Sequence, residues 1–446
     1  MIFKYKTTLF FLLVAAGLDA QQEMMLHSMS NLWHSNSLNP AFFPVGKKIA
    51  IGLPAYSLDA AHSGDITYND LLRKDGDRTI IDLGNVIDKL DPENEVYFDQ
   101  RIETVSLGFH SGNDKWAFQF GHAILFNGWV KYPKSLAEVI WNGNAPYIGQ
   151  TLEIGPQTDI FDWQEWSAGV SRRLGNVSIG ARVKYLTGVS ALKTEDGHNT
   201  MRIYTDPDIY QLSLTTDYAF YSSSIISAID TAGLGFDFVT GSFGKKPSTE
   251  NSGVAFDLGF EAKLSERLSV NAAVLNLGGT IKWKKDANYY LSRNEYTYEG
   301  GTFPGTDIIN GSDSIDFETK LDTLNDIFQF QKQAATFEST IPLRVVAGGA
   351  FQFSERWRLG VQAYYQDSNG RTNTAVGVSL QWAPVRWLSL GGMYSANSRT
   401  ASNIGFHVAL TPGPVQVYVM SDNLLNAFSL KSSPAVNLRA GASLVF

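Results

Sequence analysis

The sequence predicts an all-β fold, a transmembrane antiparallel up-and-down β-barrel of about fourteen strands. Three features predict it. Apolar and small polar residues alternate over long stretches, short turns alternate with long connections, and an export leader is followed by no apolar span.

The leader comes first. Lys4 and Lys6 form a basic start, Thr7 to Gly17 is apolar, and Leu18-Asp19-Ala20 offers a small residue at a cut. This reads as a signal peptide over residues 1–20, cleaved after Ala20. The apolar run is too short to cross a bilayer as a helix, which takes roughly 20 residues. The chain has no cysteine, which excludes disulfides, thiolate metal sites and cysteine nucleophiles. Its formal net charge of −8 argues against nucleic acid as a partner, because phosphates call for a basic surface.

The strands are read from their period of two. Trp116, Phe118 and Phe120 fall on one face, and Ala117, Gln119 and Gly121 on the other. Val177, Ile179, Ala181, Val183 and Tyr185 oppose Ser178, Gly180, Arg182 and Lys184. Val254, Phe256, Leu258 and Phe260 oppose Asp257, Gly259, Glu261 and Lys263. The last strand sets Leu438, Ala440, Ala442, Leu444 and Phe446 against Asn437, Arg439, Gly441 and Ser443. Runs of about 9–11 residues suit a tilted membrane crossing, whereas soluble strands are usually nearer 5–6. The small polar face suits a wet lumen. Aromatics at strand ends (Trp163, Trp166, Trp357, Tyr365, Trp382, Trp387 and Tyr394) predict girdles at the membrane interfaces.

Short turns fall at Ser111–Asp114, Leu174–Gly175, Ser265–Glu266, Ser354–Glu355, Pro384–Val385 and Thr411–Pro414. Between them lie connections near residues 57–101, 124–162, 187–252, 277–341, 366–373, 396–403 and 421–435. Six short turns and seven long loops imply about fourteen strands with both ends in the periplasm. Arg202–Tyr204 and Tyr210–Tyr221 are assigned to a β-excursion of the third long loop, which preserves the alternation. About sixteen strands, with a pair near Ile281–Tyr298, is the alternative. Short amphipathic helices are expected at Ile66–Leu72 and Thr79–Leu90, a turn at Ile308–Gly311, and a longer helix over Ser314–Phe330. Phe446 ends the closing strand and is the expected signal to the barrel-assembly machinery.

Three parts follow: the signal peptide 1–20, an N-terminal segment 21–48, and the barrel 49–446. The segment carries Asn39, Pro40, Ala41, Phe42 and Phe43 before the first strand, expected over Ile49 to Tyr56. Its prolines exclude a helix or central strand there. It is either a periplasmic tail or a plug folded into the lumen.

A signal peptide, an Asn-Pro-Ala motif ahead of the first strand and about fourteen strands resemble the long-chain fatty-acid transporter superfamily of outer-membrane barrels. An uncharacterised Bacteroidota branch of that group is more similar still. It shares Asn276-Leu277-Gly278, Tyr204-Thr205-Asp206-Pro207, the acidic helix near residue 320, Ile341-Pro342 and Ser421-Asp422-Asn423-Leu424-Leu425. The resemblance implies a plugged barrel in the outer membrane, in contact with its lipid. Some relatives carry hydrophobic small molecules past an N-terminal plug to an opening in the wall. Others are accessory barrels of a Bacteroidota protein-secretion system.

The expected function is passive transport of a hydrophobic or amphipathic small molecule. Lumen charges at Arg182, Lys184, Asp257, Glu261, Lys263, Arg344, Arg358 and Arg439 are placed to meet a carboxylate head. The alternatives are an accessory role with an envelope protein partner, and a porin for hydrophilic solutes. No cofactor or metal is expected. The seven histidines lie in no nucleophile motif and show no metal-ligand spacing, so no enzyme is predicted.

Overall fold

The computed structural model describes residues 23–44, 46–64, 66, 70, 72–75, 78–112, 115–224, 247–298, 328–368, 371–397, 403–423 and 435–446. Fourteen strands close into one antiparallel barrel. They are β1 (Ile49–His62), β2 (Glu93–His110), β3 (Trp116–Pro133), β4 (Gln157–Leu174), β5 (Val177–Thr205), β6 (Ser252–Lys263) and β7 (Leu268–Trp283). The second half comprises β8 (Leu343–Gln352), β9 (Trp357–Ser368), β10 (Arg371–Val385), β11 (Leu388–Asn397), β12 (Asn403–Leu410), β13 (Val415–Ser421) and β14 (Ala435–Val445). Each pairs with its neighbours in order, and β14 returns to β1 through Ala50↔Val445 and Leu58↔Leu438. Closure satisfies the backbone around the circumference, as a lipid setting demands.

The two faces of the wall follow the alternation. Phe120, Leu258 and Val376 are 50%, 52% and 60% exposed on the outside. Their chain neighbours Gln119, Asp257 and Ala375 are buried within. Inside lie residues 23–44, as a short helix α1 (Met24–His27), a 3₁₀ turn (Trp33–Ser37) and a bend at Asn39–Phe42.

Strand lengths correct the expected bounds. β2, β3 and β4 each run for 18 residues and β5 for 29, so the long connections begin later than predicted. β1 likewise continues past Tyr56 to His62. Above the apolar belt neighbouring strands keep pairing with one another, and protein partners rather than lipid set their ends. On the far side β12 and β13 have only 8 and 7 residues. One short turn also moves: Pro384 and Val385 belong to β10, and residues 386–387 make the turn. The proline sits in a register shift at the end of the ladder, where its missing N–H costs little.

Arg202–Tyr204 is the tip of β5. The strand Leu212–Ser223 folds back along it through Ile203↔Leu214 and pairs in turn with Ala287–Tyr298. The strand near 281–298 therefore extends a raised sheet and leaves the ring at fourteen rather than sixteen. Thr79 lies in a small hairpin, Leu72–Asp75 with Arg78–Ile81, so the predicted helix shortens to α2 (Leu83–Lys89). Asp82 caps it, accepting from the Asn85 amide at 3.1 Å. Most of the predicted Ile66–Leu72 helix, the turn at 308–311 and the helix over 314–327 lie outside the described residues, as does the leader.

Trp163 also departs from expectation. It faces inward at 3% exposure, while Trp166 is 56% exposed outside. Three positions apart on one strand, the two cannot share a face.

Candidate functional site

The lumenal segment is fastened to the wall along its whole length. The Asn39 carboxamide donates to the Phe260 and Ala272 carbonyls at 3.1 and 3.3 Å, and its oxygen accepts from the Ala41 amide at 2.9 Å. The Pro40 carbonyl accepts from Gln119 Nε2 at 2.6 Å. The backbone here lies flat on the wall because the wall presents glycine. A Cβ on Gly259 would sit 2.2 Å from Asn39 Oδ1, and one on Gly180 would sit 2.4 Å from the Pro40 carbonyl. Trp33 lies over Gly108, donates through Nε1 to Ser106 Oγ at 2.7 Å, and meets the Phe43 ring edge-on at 5.3 Å. Phe43 packs on His110 at 4.0 Å. Phe42 is buried beside His27.

Ion pairs surround this segment. Arg182 donates to Asn36 Oδ1 and to the Asn36 carbonyl at 2.6 and 2.7 Å, to Gln119 Oε1 at 2.7 Å, and to Asp257 at 3.3 Å. Lys184 pairs with Asp257 at 3.0 Å and with Glu165 at 3.6 Å, and Arg101 pairs with Glu165 at 3.2 Å. All but Arg101 are almost wholly buried, so each charge depends on its partners. Higher in the lumen Arg344 bridges Asp99 at 2.6 Å and Glu23 at 3.3 Å, and Arg439 also pairs with Glu23. Burial pushes the Glu23 carboxyl up, but the Arg439 and Arg344 guanidiniums prevail and hold it at about 2. Burial pushes the His27 imidazole down to about 4.

The wall is irregular at one place. Pairing of β7 with β8 stops at Leu275↔Arg344, and a separate strand, Phe337–Thr340, takes over at Thr280↔Thr340. Asn276 and Gly278 turn the backbone with φ of 65° and 66°. Side chains hold the break: the Asn276 amide donates to Asp257 at 2.9 Å, its carboxamide donates to the Pro342 carbonyl at 2.7 Å, and Lys184 donates to its oxygen at 2.7 Å. Beside it lies a cavity of about 20 Å³ lined by Leu38, Leu125, Trp163, Leu275 and Pro342 and, among them, by Asn276 and the charged Glu23, Arg101, Lys184 and Arg344. Leu125 and Trp163 belong to an apolar cluster that continues through Phe161, Ile281, Trp283 and Phe337. A second cavity of about 30 Å³ lies between Trp33, Arg101, Glu165 and Arg182. Spaces of this size hold one or two waters.

Residues 40–422 match the family described as "Family of unknown function (DUF5723)". The chain belongs to that family. No curated protein matches the sequence. Among solved structures, this DUF5723 barrel is similar to the Ralstonia pickettii toluene transporter TbuX, with 11% identity, 93% of each chain covered and a TM-score of 0.44. It is also similar to the Pseudomonas putida toluene transporter TodX, with 11% identity, 97% of this chain and 95% of that one covered and a TM-score of 0.43. A Pseudomonas aeruginosa FadL homologue gives 12% identity, 96% and 97% coverage and a TM-score of 0.43.

Of the sequence-predicted lumen charges, Arg182, Lys184 and Asp257 form one network and Arg344 and Arg439 another in the DUF5723 barrel. Glu261, Lys263 and Arg358 stand apart at the short-turn end, near enough to feel one another's charge. Lys263 is exposed there. Phe446 is 54% exposed, and its backbone exchanges hydrogen bonds with Ile49 at 2.8 and 3.2 Å. Sequence reasoning missed Glu23, Asp99, Arg101, Glu103 and Glu165. Asp99, Arg101 and Glu103 share odd numbers with the outward Val105, Leu107 and Phe109, and a bulge between Glu103 and Val105 turns them inward. Charges in register with a lipid face were the available signal of that bulge.

Proposed function

We propose that this protein is a plugged outer-membrane barrel that passes hydrophobic or amphipathic small molecules, with its long loops outside and both ends in the periplasm. The observation that carries the reading is the packed apolar cluster that runs from Trp283 and Phe337 to Trp163 and Leu125, the last two of which also line the cavity beside the wall break at residues 276–279. A greasy solute entering among the loops meets these apolar side chains before the break, where a sideways exit into the bilayer shortens its contact with the charged residues around the cavity. Residues 23–44 act as the plug, since the charged anchors would otherwise line an open aqueous path. Lys184, Arg101 and Arg344 border the same cavity, and because each is already paired with a carboxylate of the protein, a solute with a carboxylate head would have to displace Glu165, Asp257, Asp99 or Glu23 to bind them.

Uptake of labelled fatty acids and monoaromatic hydrocarbons in a deletion strain tests this. Complementation should restore uptake of at least one compound class, and equal uptake with and without the gene across the panel would sink the reading. Deleting residues 21–46 and recording single-channel currents tests the plug separately; the shortened barrel should conduct ions where the full chain does not.

A second reading, an accessory barrel docked to an envelope protein, draws on the raised sheet. The turn next to its Leu212–Ser223 strand carries Ile209 and Tyr210, 67% and 65% exposed. Purification from native membranes with a stoichiometric large partner would favour it.

A further inference from the structure

Five of the seven methionines gather in one buried cluster where the lumenal segment meets the wall. Met24, Met25 and Met29 come from the segment, Met393 from β11 and Met420 from β13. Methionine often fills gaps in cores, so the gathering alone marks no site. Two imidazoles add what packing does not require. His407 on β12, wholly buried, places Nδ1 3.3 Å from Met25 Sδ and Nε2 3.1 Å from Ser389 Oγ. In one tautomer Nδ1 donates its proton to the Met25 thioether and Ser389 donates to Nε2; in the other Nε2 donates to Ser389, and the Nδ1 lone pair faces the sulfur, two donor atoms aimed at one point. His27 follows Met24 by three positions on α1 and so shares its side of the helix. It is 1% exposed, and neither ring nitrogen has a hydrogen-bond partner.

Thioethers and neutral imidazoles are uncharged donors that favour soft monovalent ions over Zn²⁺, Mg²⁺ or Ca²⁺. Among the described residues no group of three or more His, Cys, Asp or Glu is arranged to hold a metal. One carboxyl that forms no ion pair with another described residue lies close by: Asp422 accepts from the Met25 amide at 2.9 Å, and a bound cation would favour its ionised form against the burial that pushes its pKa up.

We propose that Met25 and His407, completed by a further thioether of the cluster, bind one soft monovalent cation, Cu(I) or Ag(I), at the seam between segment and wall. The proposal stands whatever the barrel carries. Methionine side chains are flexible enough to open the 3.3 Å contact around an ion.

The test is a titration of Ag(I), which is redox-inert, into the full mature chain in detergent, with the methionine methyls carbon-13 labelled. One equivalent should move the Met25 methyl and at least one other methyl of the cluster. Met201, in a separate apolar cluster, should stay in place. Met25→Leu and His407→Gln should each weaken binding at least tenfold, and Zn(II) should move nothing. Cu(I), measured by competition with a chromogenic chelator, should show the same stoichiometry. A titration that leaves the cluster still, or moves Met201 equally, overturns the proposal; so does a cluster shift that survives Met25→Leu. Should a variant fail to fold, the wild-type titration decides, because Met201 is its internal control.

Discussion

Asn39 Oδ1 occupies the place where Gly259 would carry a side chain; a Cβ there would lie 2.2 Å away. Gly180 stands in the same relation to Pro40. Gly259→Val and Gly180→Val should therefore lift the Asn39–Ala41 bend off the wall while the barrel still closes. Added protease should then cut within residues 23–44 of the variants and spare the parent. Gly349→Ala is the control, since its nearest neighbour would be 3.6 Å from the new Cβ. Equal resistance in all four proteins would refute the steric account.

Arg182 ties the segment to the wall through Asn36, Gln119 and Asp257. Arg182→Met removes these bonds and leaves Asp257 with Lys184 and the Asn276 amide. Breaking a buried, hydrogen-bonded charge costs about 3–5 kcal/mol. Hydrogen exchange at residues 33–43 should accelerate by the corresponding roughly two to four powers of ten, with the wall amides unchanged.

Glu23 joins Arg344 and Arg439. In Glu23→Gln, Arg344 keeps Asp99, but Arg439 loses this ion pair. Only the first turn should loosen. Faster exchange is expected over Met24–His27 and not over Trp33–Phe43, and loosening of the whole segment at once would show that the two anchors are not independent.

Trp163 and Trp166 separate route from girdle. Trp163→Ala enlarges the cavity beside the break and should change uptake of a hydrophobic solute several-fold. Trp166→Ala should leave uptake unchanged and affect only seating in the bilayer. Identical uptake profiles for the two variants would count against a lumenal route through Trp163.

The ring was legible because lipid imposes a period of two that the residues obey without interruption from Val177 to Tyr185 and from Val254 to Phe260. Inward glycines at 180 and 259 were legible as a polar face, but not as a docking surface. Their partners Pro40 and Asn39 lie far away in the chain, and no periodicity links them. Bulges hid the rest. One extra residue at Thr104 turns Arg101 and Glu103 from apparent lipid contacts into lumen charges, and another irregularity accompanies the inward Phe161 and Trp163. Strand ends above the apolar belt were invisible because the partners that prolong β5 are loop strands, not the membrane.

The lumenal segment leads the described chain, yet it fastens to the strands that close the ring. Met25 bonds to Asp422, 397 positions on, and Glu23 to Arg439, 416 positions on. When the barrel assembles, residues 23–25 find these partners only once β13 and β14 are in place, so the entropy of closing a loop of about 400 residues falls on a late step. A barrel that lacks its closing strands has nowhere to stow its own beginning.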